Sequence, residues 1–145
     1  NEIGIIEQLA RNRFESVMPH GMLLAHFTML NHLVRMGDGR NPADIAHALQ
    51  LARGAVTNTV QRLEARGYLR VEPDPEDGRA KRIYLTDTGR RARDDAIAAV
   101  DPLIARLENK LGRGTFDDLV PGLQRLRAWL DREREEDRAK GRETE

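Results

Sequence analysis

The sequence predicts a mostly α-helical chain with one small β-hairpin, and three observations carry that expectation. Apolar residues recur at three- and four-residue spacing through most of the chain. Two short helical segments follow each other across a tight turn between Asn41 and Arg66. The strand-like residues are confined to two short runs, Tyr68–Val71 and Lys81–Leu85, around a Pro- and Asp-rich turn. Together these spell a winged helix-turn-helix with additional helices at both ends, which the sequence reading assigns to dimerisation.

Taken in order, Ile5, Ile6 and Leu9 alternate with Glu2, Glu7 and Arg11 in a first amphipathic helix over 3–16. Pro19, His20 and Gly21 separate it from a second helix at about Leu23–Met36, whose apolar stripe is Phe27, Leu30, Leu33 and Val34. Gly37-Asp38-Gly39 ends that helix. Asn41-Pro42-Ala43-Asp44 then starts a short one: Asn41 suits the N-cap, Pro42 the first helical position and Asp44 the first turn, with Ile45, Ala46 and Leu49 buried. The next helix, Arg53–Arg66, buries Val56, Val60 and Leu63 and stops at Gly67 as its C′ residue. Its opposite face shows Arg53, Thr57, Asn58 and Gln61, with Arg62 on the edge.

Between the two strand segments, Pro73-Asp74-Pro75-Glu76-Asp77-Gly78-Arg79 is a stiff turn with a basic rim, and Arg79, Lys81 and Arg82 are long enough to reach phosphates or a minor groove. Thr86 caps a long helix whose apolar face runs Ala92, Ala96, Ile97, Val100, Ile104, Leu107 and Leu111, with a kink or restart expected at Pro102. Thr115–Asp118 reads as a capping box with Asp in place of Glu, opening a last helix with Phe116, Leu119, Val120, Leu123, Leu126 and Leu130 and a disturbance at Pro121-Gly122. From Glu133 the chain is charged, apolar-poor and expected to fray.

The expected organisation is therefore a winged helix-turn-helix at 23–86, a helical dimerisation region at 1–22 and 87–132, and a charged C-terminal tail at 133–145. The terminal stripes exceed what the small central unit can cover. A second subunit is the economical cover, giving a twofold pair of reading heads; a helical cap over the chain's own domain is the alternative.

Charge supports a polyanionic partner. The 24 basic and 24 acidic residues cancel, yet residues 51–93 carry ten basic against six acidic side chains, a net of +4, while 1–50 and 94–145 are net −1 and −3. One basic surface on a neutral protein is the pattern expected when that surface faces a polyanion, with a merely solvated surface as the alternative. Of the 24 cations 21 are Arg, which suits bidentate contacts and equally fits codon bias. A winged helix used only for protein assembly is the rival reading.

Other chemistries find little footing. With no cysteine, the chain has no disulfide, thiolate metal site or Cys nucleophile. Ser16 is the only serine and no His–Asp pair is placed beside it; there is no Gly-rich phosphate loop and no HExxH, so no enzyme is expected and no cofactor. His20, His26 and His32 are six apart, which on a helix turns successive residues by about 240°, off any shared face for a metal. The uncharged stretch Ser16–Val34 holds Pro19, Gly21, Asn31 and three His and is too polar to span a bilayer. The first residues lack the pattern of a signal peptide, so a cytoplasmic location is expected. The absence of an initial Met suggests that the sequence begins inside a longer protein.

Three spaced signatures now carry a resemblance: Val60-Gln61-Arg62-Leu63-Glu64-Ala65-Arg66-Gly67-Tyr68-Leu69, Asp74-Pro75-Glu76-Asp77-Gly78-Arg79-Ala80-Lys81 and Leu85-Thr86-Asp87-Thr88-Gly89. In this order they resemble the MarR family of bacterial transcription regulators, over Ile5 to about Arg132. The resemblance implies a homodimer of winged helices on a palindromic operator, acting as a repressor released by a small aromatic carboxylate or phenolic effector. It makes Arg53–Arg66 the recognition helix, with Arg53, Thr57, Asn58 and Gln61 facing base edges or phosphates. Asp77 and Arg79 match the family's Asp-x-Arg wing motif, Asp77 orienting basic side chains and Arg79 entering the minor groove. Leu63 and Tyr68 hold the recognition helix to the domain.

Two departures stand out. Ala52 replaces the Ser or Thr that often opens the recognition helix. An Arg expected at position 71 lies instead at Arg70, which strand alternation sends to the other sheet face. Family effector pockets lie between the dimerisation helices and the winged domain. The matching candidates here are Arg13, Phe14, Met18, His20, Met22 and His26, with Met29; the same residues would equally serve to fill a core.

Overall fold

Local signals in the sequence set most element boundaries. The computed structural model describes residues 1–112 and 114–143. The order is α1 (Glu2–Val17), a 3-10 turn (Pro19–Gly21), α2 (Leu24–Met36), α3 (Pro42–Ala48), α4 (Arg53–Ala65), β1 (Leu69–Pro73), β2 (Lys81–Leu85), α5 (Asp87–Leu111) and α6 (Gly114–Glu143). The fold is mostly helical with a hairpin wing. Two compact units divide the chain between Pro102 and Leu103.

In the first unit, Asn41 caps α3 as expected: its Oδ1 accepts the Ala43 N–H at 2.8 Å, and Pro42 follows at the first helical position. The turn into α4 closes with the Leu51 N–H on the Ala46 carbonyl and the Gln50 N–H on the His47 carbonyl. That is a Schellman ending in which Gln50, at φ +57°, occupies the left-handed position that glycine usually takes. The same ending closes α4, where Gly67 at φ +71° fills that position, Gly67 N–H donates to Glu64 and Tyr68 N–H to Leu63. Ala52 provides no side-chain cap to α4, as its chemistry dictates.

The antiparallel hairpin pairs Leu69 with Leu85 and Val71 with Ile83. On the other side of β2, Gly39 N–H donates to the Ile83 carbonyl at 2.9 Å and Ile83 N–H to the Arg40 carbonyl at 3.0 Å. The Gly37-Asp38-Gly39 break therefore also delivers a one-residue third strand at Arg40. The core of the unit joins Leu30 and Leu33 of α2, Ile45 of α3, Val56 and Leu63 of α4, Leu69 and Ile83 of the wing, and Ala92 and Ala96 of α5. Burying these side chains stabilises each by about 1.5–3 kcal/mol for the larger residues. On α1, Phe14 packs on Phe27 with ring centroids 5.2 Å apart, while Ile3, Ile5, Ile6 and Leu9 remain exposed, Leu9 to 63 %.

Three expectations for the C-terminal helices need correction. Thr115 does not form a capping box: its hydroxyl donates back to the Leu111 carbonyl at 2.7 Å, and α6 has already begun at Gly114. Gly112, at φ +87°, ends α5 so close to this threonine that the hydroxyl meets the preceding helix's free carbonyl first. The charged segment from Glu133 is helical to Glu143 rather than frayed; the last two residues of the expected tail lie outside the described residues. Pro102 and Pro121 sit inside unbroken helices, so neither causes a restart. Along α6, Phe116, Leu119, Val120, Leu123, Leu126 and Leu130 are all exposed, as is Trp129.

Thr86 and Gly89 lock the wing to α5. Thr86 Oγ1 accepts the Gly89 N–H at 3.0 Å and lies 2.7 Å from the Gly67 carbonyl and 3.1 Å from that of Tyr68; Thr86 N–H also donates to Tyr68. A Cβ at Gly89 would stand 2.1 Å from the Tyr68 carbonyl oxygen and 2.9 Å from Leu85 Cδ1. In an open helix, Gly→Ala stabilises by about 0.5–1 kcal/mol. Here the sign reverses because the obstacle is backbone: Gly89→Ala should destabilise by about 3 kcal/mol, lowering the melting temperature by about 10 °C. Calorimetry showing an unchanged or higher melting temperature would contradict the close approach.

Candidate nucleic-acid interface

The outward face of α4 follows from its inward one. With Val56, Val60 and Leu63 buried, Thr57, Asn58, Gln61 and Arg62 are all exposed. Thr57 turns its hydroxyl back to the Arg53 carbonyl at 3.0 Å. Across from it stands the wing, and a cleft of about 300 Å³ separates the two. Thr57, Val60, Gln61 and Glu64 form one wall, and Val71, Glu72, Arg79 and Lys81 belong to the other. An adjoining hollow adds Asn41, Ala43 and Arg53 beside the same Thr57, Arg79 and Lys81. Of the residues picked out in the sequence, the structure thus gathers Arg53, Thr57, Gln61, Arg79 and Lys81 around one groove. Asn58 and Arg62 sit together elsewhere on α4, joined by a 3.1 Å hydrogen bond from Arg62 Nε to Asn58 Oδ1.

Arg82 has a different place. Strand alternation turns it away from its neighbour Lys81, and its Nε donates to Asp74 Oδ2 at 2.9 Å while Nη1 donates to the Gly39 carbonyl at 3.3 Å. The backbone N–H of Glu76 and the Arg82 guanidinium hold the Asp74 carboxyl below its usual range, and Asp74 in turn raises Arg82. Asp77 does not touch a basic side chain; its Oδ1 accepts the Arg79 N–H at 3.0 Å, and its carbonyl the Ala80 N–H. Asp77 thus meets the turn's backbone rather than the basic side chains it was expected to orient, and the ion pair belongs to Asp74. Arg70, as its register implies, lies on the other face, paired with Glu72 and 4.4 Å above the Tyr84 ring.

Sequence reasoning missed the contacts that aim these elements. Glu64 Oε1 accepts the Val71 N–H at 3.2 Å, tying α4 to the wing's outer strand, and Arg66 Nη1 donates to the His20 carbonyl at 3.1 Å. Both residues lie in a quoted signature, but their partners are seven and 46 positions away.

The residues proposed for an effector pocket are largely core. Met18, Met22, Met29 and His26 are buried, Phe14 is half-buried, and Arg13 and His20 are exposed. His20 holds a left-handed conformation at φ +55° in the 3-10 turn. His26 Nδ1 accepts the Leu23 N–H at 3.2 Å, and Glu15 Oε1 accepts the Leu24 N–H at 2.9 Å, so two side chains cap the start of α2. Among the described residues no group of three or more His, Asp or Glu is placed to hold a metal, and no helix is long and apolar enough to cross a membrane.

Burial lowers the His26 pKa from 6.5, reinforced by Arg66 and Arg62 of α4 and opposed by Glu15 of α1. His32 is lowered too, by burial and by Arg40. The unfolded chain then binds protons that the folded chain refuses, so stability rises with pH between the depressed folded value and 6.5 and levels off above it. Denaturant midpoints should fall from pH 7.5 to pH 5.5, by at most about 1.4 kcal/mol per pH unit for each such histidine. His26→Gln keeps an acceptor for Leu23 and should flatten that slope; an equally steep slope in the variant would show that His26 is not the group responsible.

Comparison with known proteins agrees with this architecture. The model of the MarR family matches residues 20–80, the span from the 3-10 turn to the wing. The transcriptional activatory protein BadR of Rhodopseudomonas palustris is 26 % identical over 118 residues, 80 % of this chain and 66 % of that protein. The uncharacterized HTH-type transcriptional regulator YkoM of Bacillus subtilis is 32 % identical over 101 residues, 70 % of this chain and 65 % of the relative. The chain thus spans just under two thirds of these curated relatives' lengths. Among solved structures, the PcaV transcriptional regulator of Streptomyces coelicolor, in complex with its natural ligand, superposes with a TM-score of 0.76 at 21 % identity, covering 87 % of this chain and 89 % of its own. A MarR-family regulator from Rhodococcus sp. RHA1 does so with 0.73 at 25 %, covering 86 % and 91 %.

Proposed function

We propose, from the match of the MarR family model to residues 20–80, that the chain is a sequence-specific regulator of transcription of that family and binds duplex DNA as a homodimer. The observation that carries the reading is the groove between α4 and the wing. Hydrogen-bonding side chains, Thr57 and Gln61, line it from the helix, and the cations Arg79 and Lys81 line it from the hairpin. A helix of this kind fits the major groove, while the wing reaches phosphates or the adjoining minor groove. On this reading the partner is duplex DNA, the protein is not an enzyme, and it works in the cytoplasm.

The exposed apolar rows of α1 and of α6 support self-association, since each row is too long to leave wet. Light scattering at micromolar concentration should return about twice 16.4 kDa; a clean monomer would remove the twofold operator from the proposal. Repression relieved by a small aromatic carboxylate or phenolic effector is the mode carried over from the resemblance. Because Met18, Met22 and His26 are already packed, an effector meeting them would have to displace core side chains.

Reading and grip should separate by mutation. Gln61→Ala should cost about 1–3 kcal/mol of discrimination among operator variants and leave non-specific affinity nearly unchanged. Arg79→Ala should weaken binding to every duplex and lower the salt slope by about one per subunit. Titration of specific and scrambled duplexes at several salt concentrations decides the matter. Equal losses on both duplexes for Gln61→Ala, or none for Arg79→Ala, would place the winged helix on DNA in another orientation.

A further inference from the structure

We propose that Asn58 and Arg62 act as one unit that reads a guanine in the major groove, where Asn58 alone would have selected adenine. The inference rests on the DNA-binding reading above and names what part of the operator must contain.

A lone asparagine presents a carbonyl acceptor and an amide donor side by side, the complement of adenine's N6 donor and N7 acceptor. Asn58 is not alone. Its Oδ1 receives the Nε–H of Arg62 at 3.1 Å, one helical turn along. That bond points the carbonyl of Asn58 at its own helix and leaves the Nδ2–H groups outward. It also fixes the guanidinium plane: with Nε engaged, Arg62 presents its Nη1 and Nη2 edge as a fork. The outer surface of the pair is then made of donors only. Of the four bases, guanine alone shows two adjacent acceptors, O6 and N7, in the major groove, whereas the adenine amino group would confront donors with a donor.

The surroundings keep the pair in this state and within reach. Arg66, the other cation on this side of α4, is held by the His20 carbonyl at 3.1 Å and does not compete for Asn58. Gly54 lies one turn before Asn58, and a Cβ there would meet nothing within 4 Å. The row Gly54, Asn58, Gln61, Ala65 opposes the buried Val56, Val60 and Leu63; glycine and alanine leave room around Asn58, and Gln61 is itself a reader of base edges on the reading above. Neither residue lines the cleft towards the wing, which leaves them to the major groove rather than to the hairpin's contacts.

The test is selection of duplexes from random sequence with the full chain, its Arg62→Leu variant and its Arg62→Lys variant, followed by titration of the winning site. The wild type should enrich a guanine at one position of each half-site and lose about tenfold or more in affinity when 7-deazaguanine removes the N7 acceptor there. Arg62→Leu frees the Asn58 carbonyl, so the same position should turn to adenine and become insensitive to the 7-deaza change. Arg62→Lys keeps the charge but not the planar fork, and should keep non-specific affinity while losing the guanine preference. Both side chains are exposed, and circular dichroism should show each variant folded. If all three proteins select the same base, or if Arg62→Leu weakens every duplex equally, Arg62 serves a phosphate and the pair reads nothing. Failure of the wild type to select any duplex would instead overturn the DNA-binding reading itself, and with it this inference.

Discussion

The contact between the Thr86–Gly89 turn and the Gly67–Tyr68 backbone determines where everything else can go. At that point α4 has just ended, β1 is about to begin, β2 has just finished and α5 is starting. One hydroxyl and one absent Cβ join all four. Thr86 Oγ1 satisfies the Gly89 N–H, an orphan donor of the α5 N-terminus, while lying within reach of the Gly67 and Tyr68 carbonyls. Gly89 lets the helix backbone rest on the Tyr68 carbonyl at a distance no side chain permits. Because the hairpin's two ends are pinned together, its register is fixed from the base: Leu69 faces Leu85 and Val71 faces Ile83, which sends Ile83 and Leu85 into the core and sets Lys81 on the same face beyond them, at the cleft.

From that base outward, charge and backbone bonds add to the apolar packing of Leu69, Ile83 and Leu85. Asp38 Oδ1 accepts the Leu85 N–H, Gly39 and Arg40 pair with Ile83, and Arg82 bridges Asp74 to the Gly39 carbonyl. These bonds tie the hairpin to the loop before α3. Glu64 adds the opposite tie, from α4 to the outer strand at Val71. Anchoring a groove wall on both sides would, on the proposed reading, lower the ordering cost of binding a rigid duplex.

How far the sequence disclosed this follows from the range of each contact. Asn41-Pro42, Gly67 and Thr86 act within three residues of themselves, so their types alone located the ends of α3 and α4 and the start of α5. The hairpin was equally plain, since a stiff Pro-Asp turn between short β-prone runs leaves little else to form. Glu15 on Leu24, Arg66 on His20 and Arg82 on Gly39 reach nine, 46 and 43 positions, and no local pattern marks them. Thr115 was misjudged for the opposite reason: a correct local pattern was overruled by the neighbouring carbonyl of Leu111. Met18, Met22, Met29 and His26 left two readings open because flexible, weakly polar side chains suit a pocket and a core alike, and burial decides between them only in three dimensions. Asp74 and Asp77 are chemically the same residue in one turn, so their division of labour waited for geometry.

The central segment's net charge of +4 can now be divided by what each cation does. Arg70 is spent on Glu72 and the Tyr84 ring, Arg82 on Asp74, Arg66 on a carbonyl, and Arg93 on Asn31 and Asp94. Arg90 faces Asp38 at 3.9 Å, and Arg91 donates to Thr88. These are cations of construction: they hold the wing, α4 and α5 in place, and removing one would be felt first as lost geometry. Arg53, Arg62, Arg79 and Lys81 remain: Arg62 is joined to Asn58 on the exposed face of α4, and the other three are the basic residues that line the groove and its adjoining hollow. Segment charge therefore located the surface but overstated its strength. On the proposed reading as a duplex binder, a salt dependence set by about four basic residues per subunit, rather than by the ten in the segment, is what this arrangement can produce.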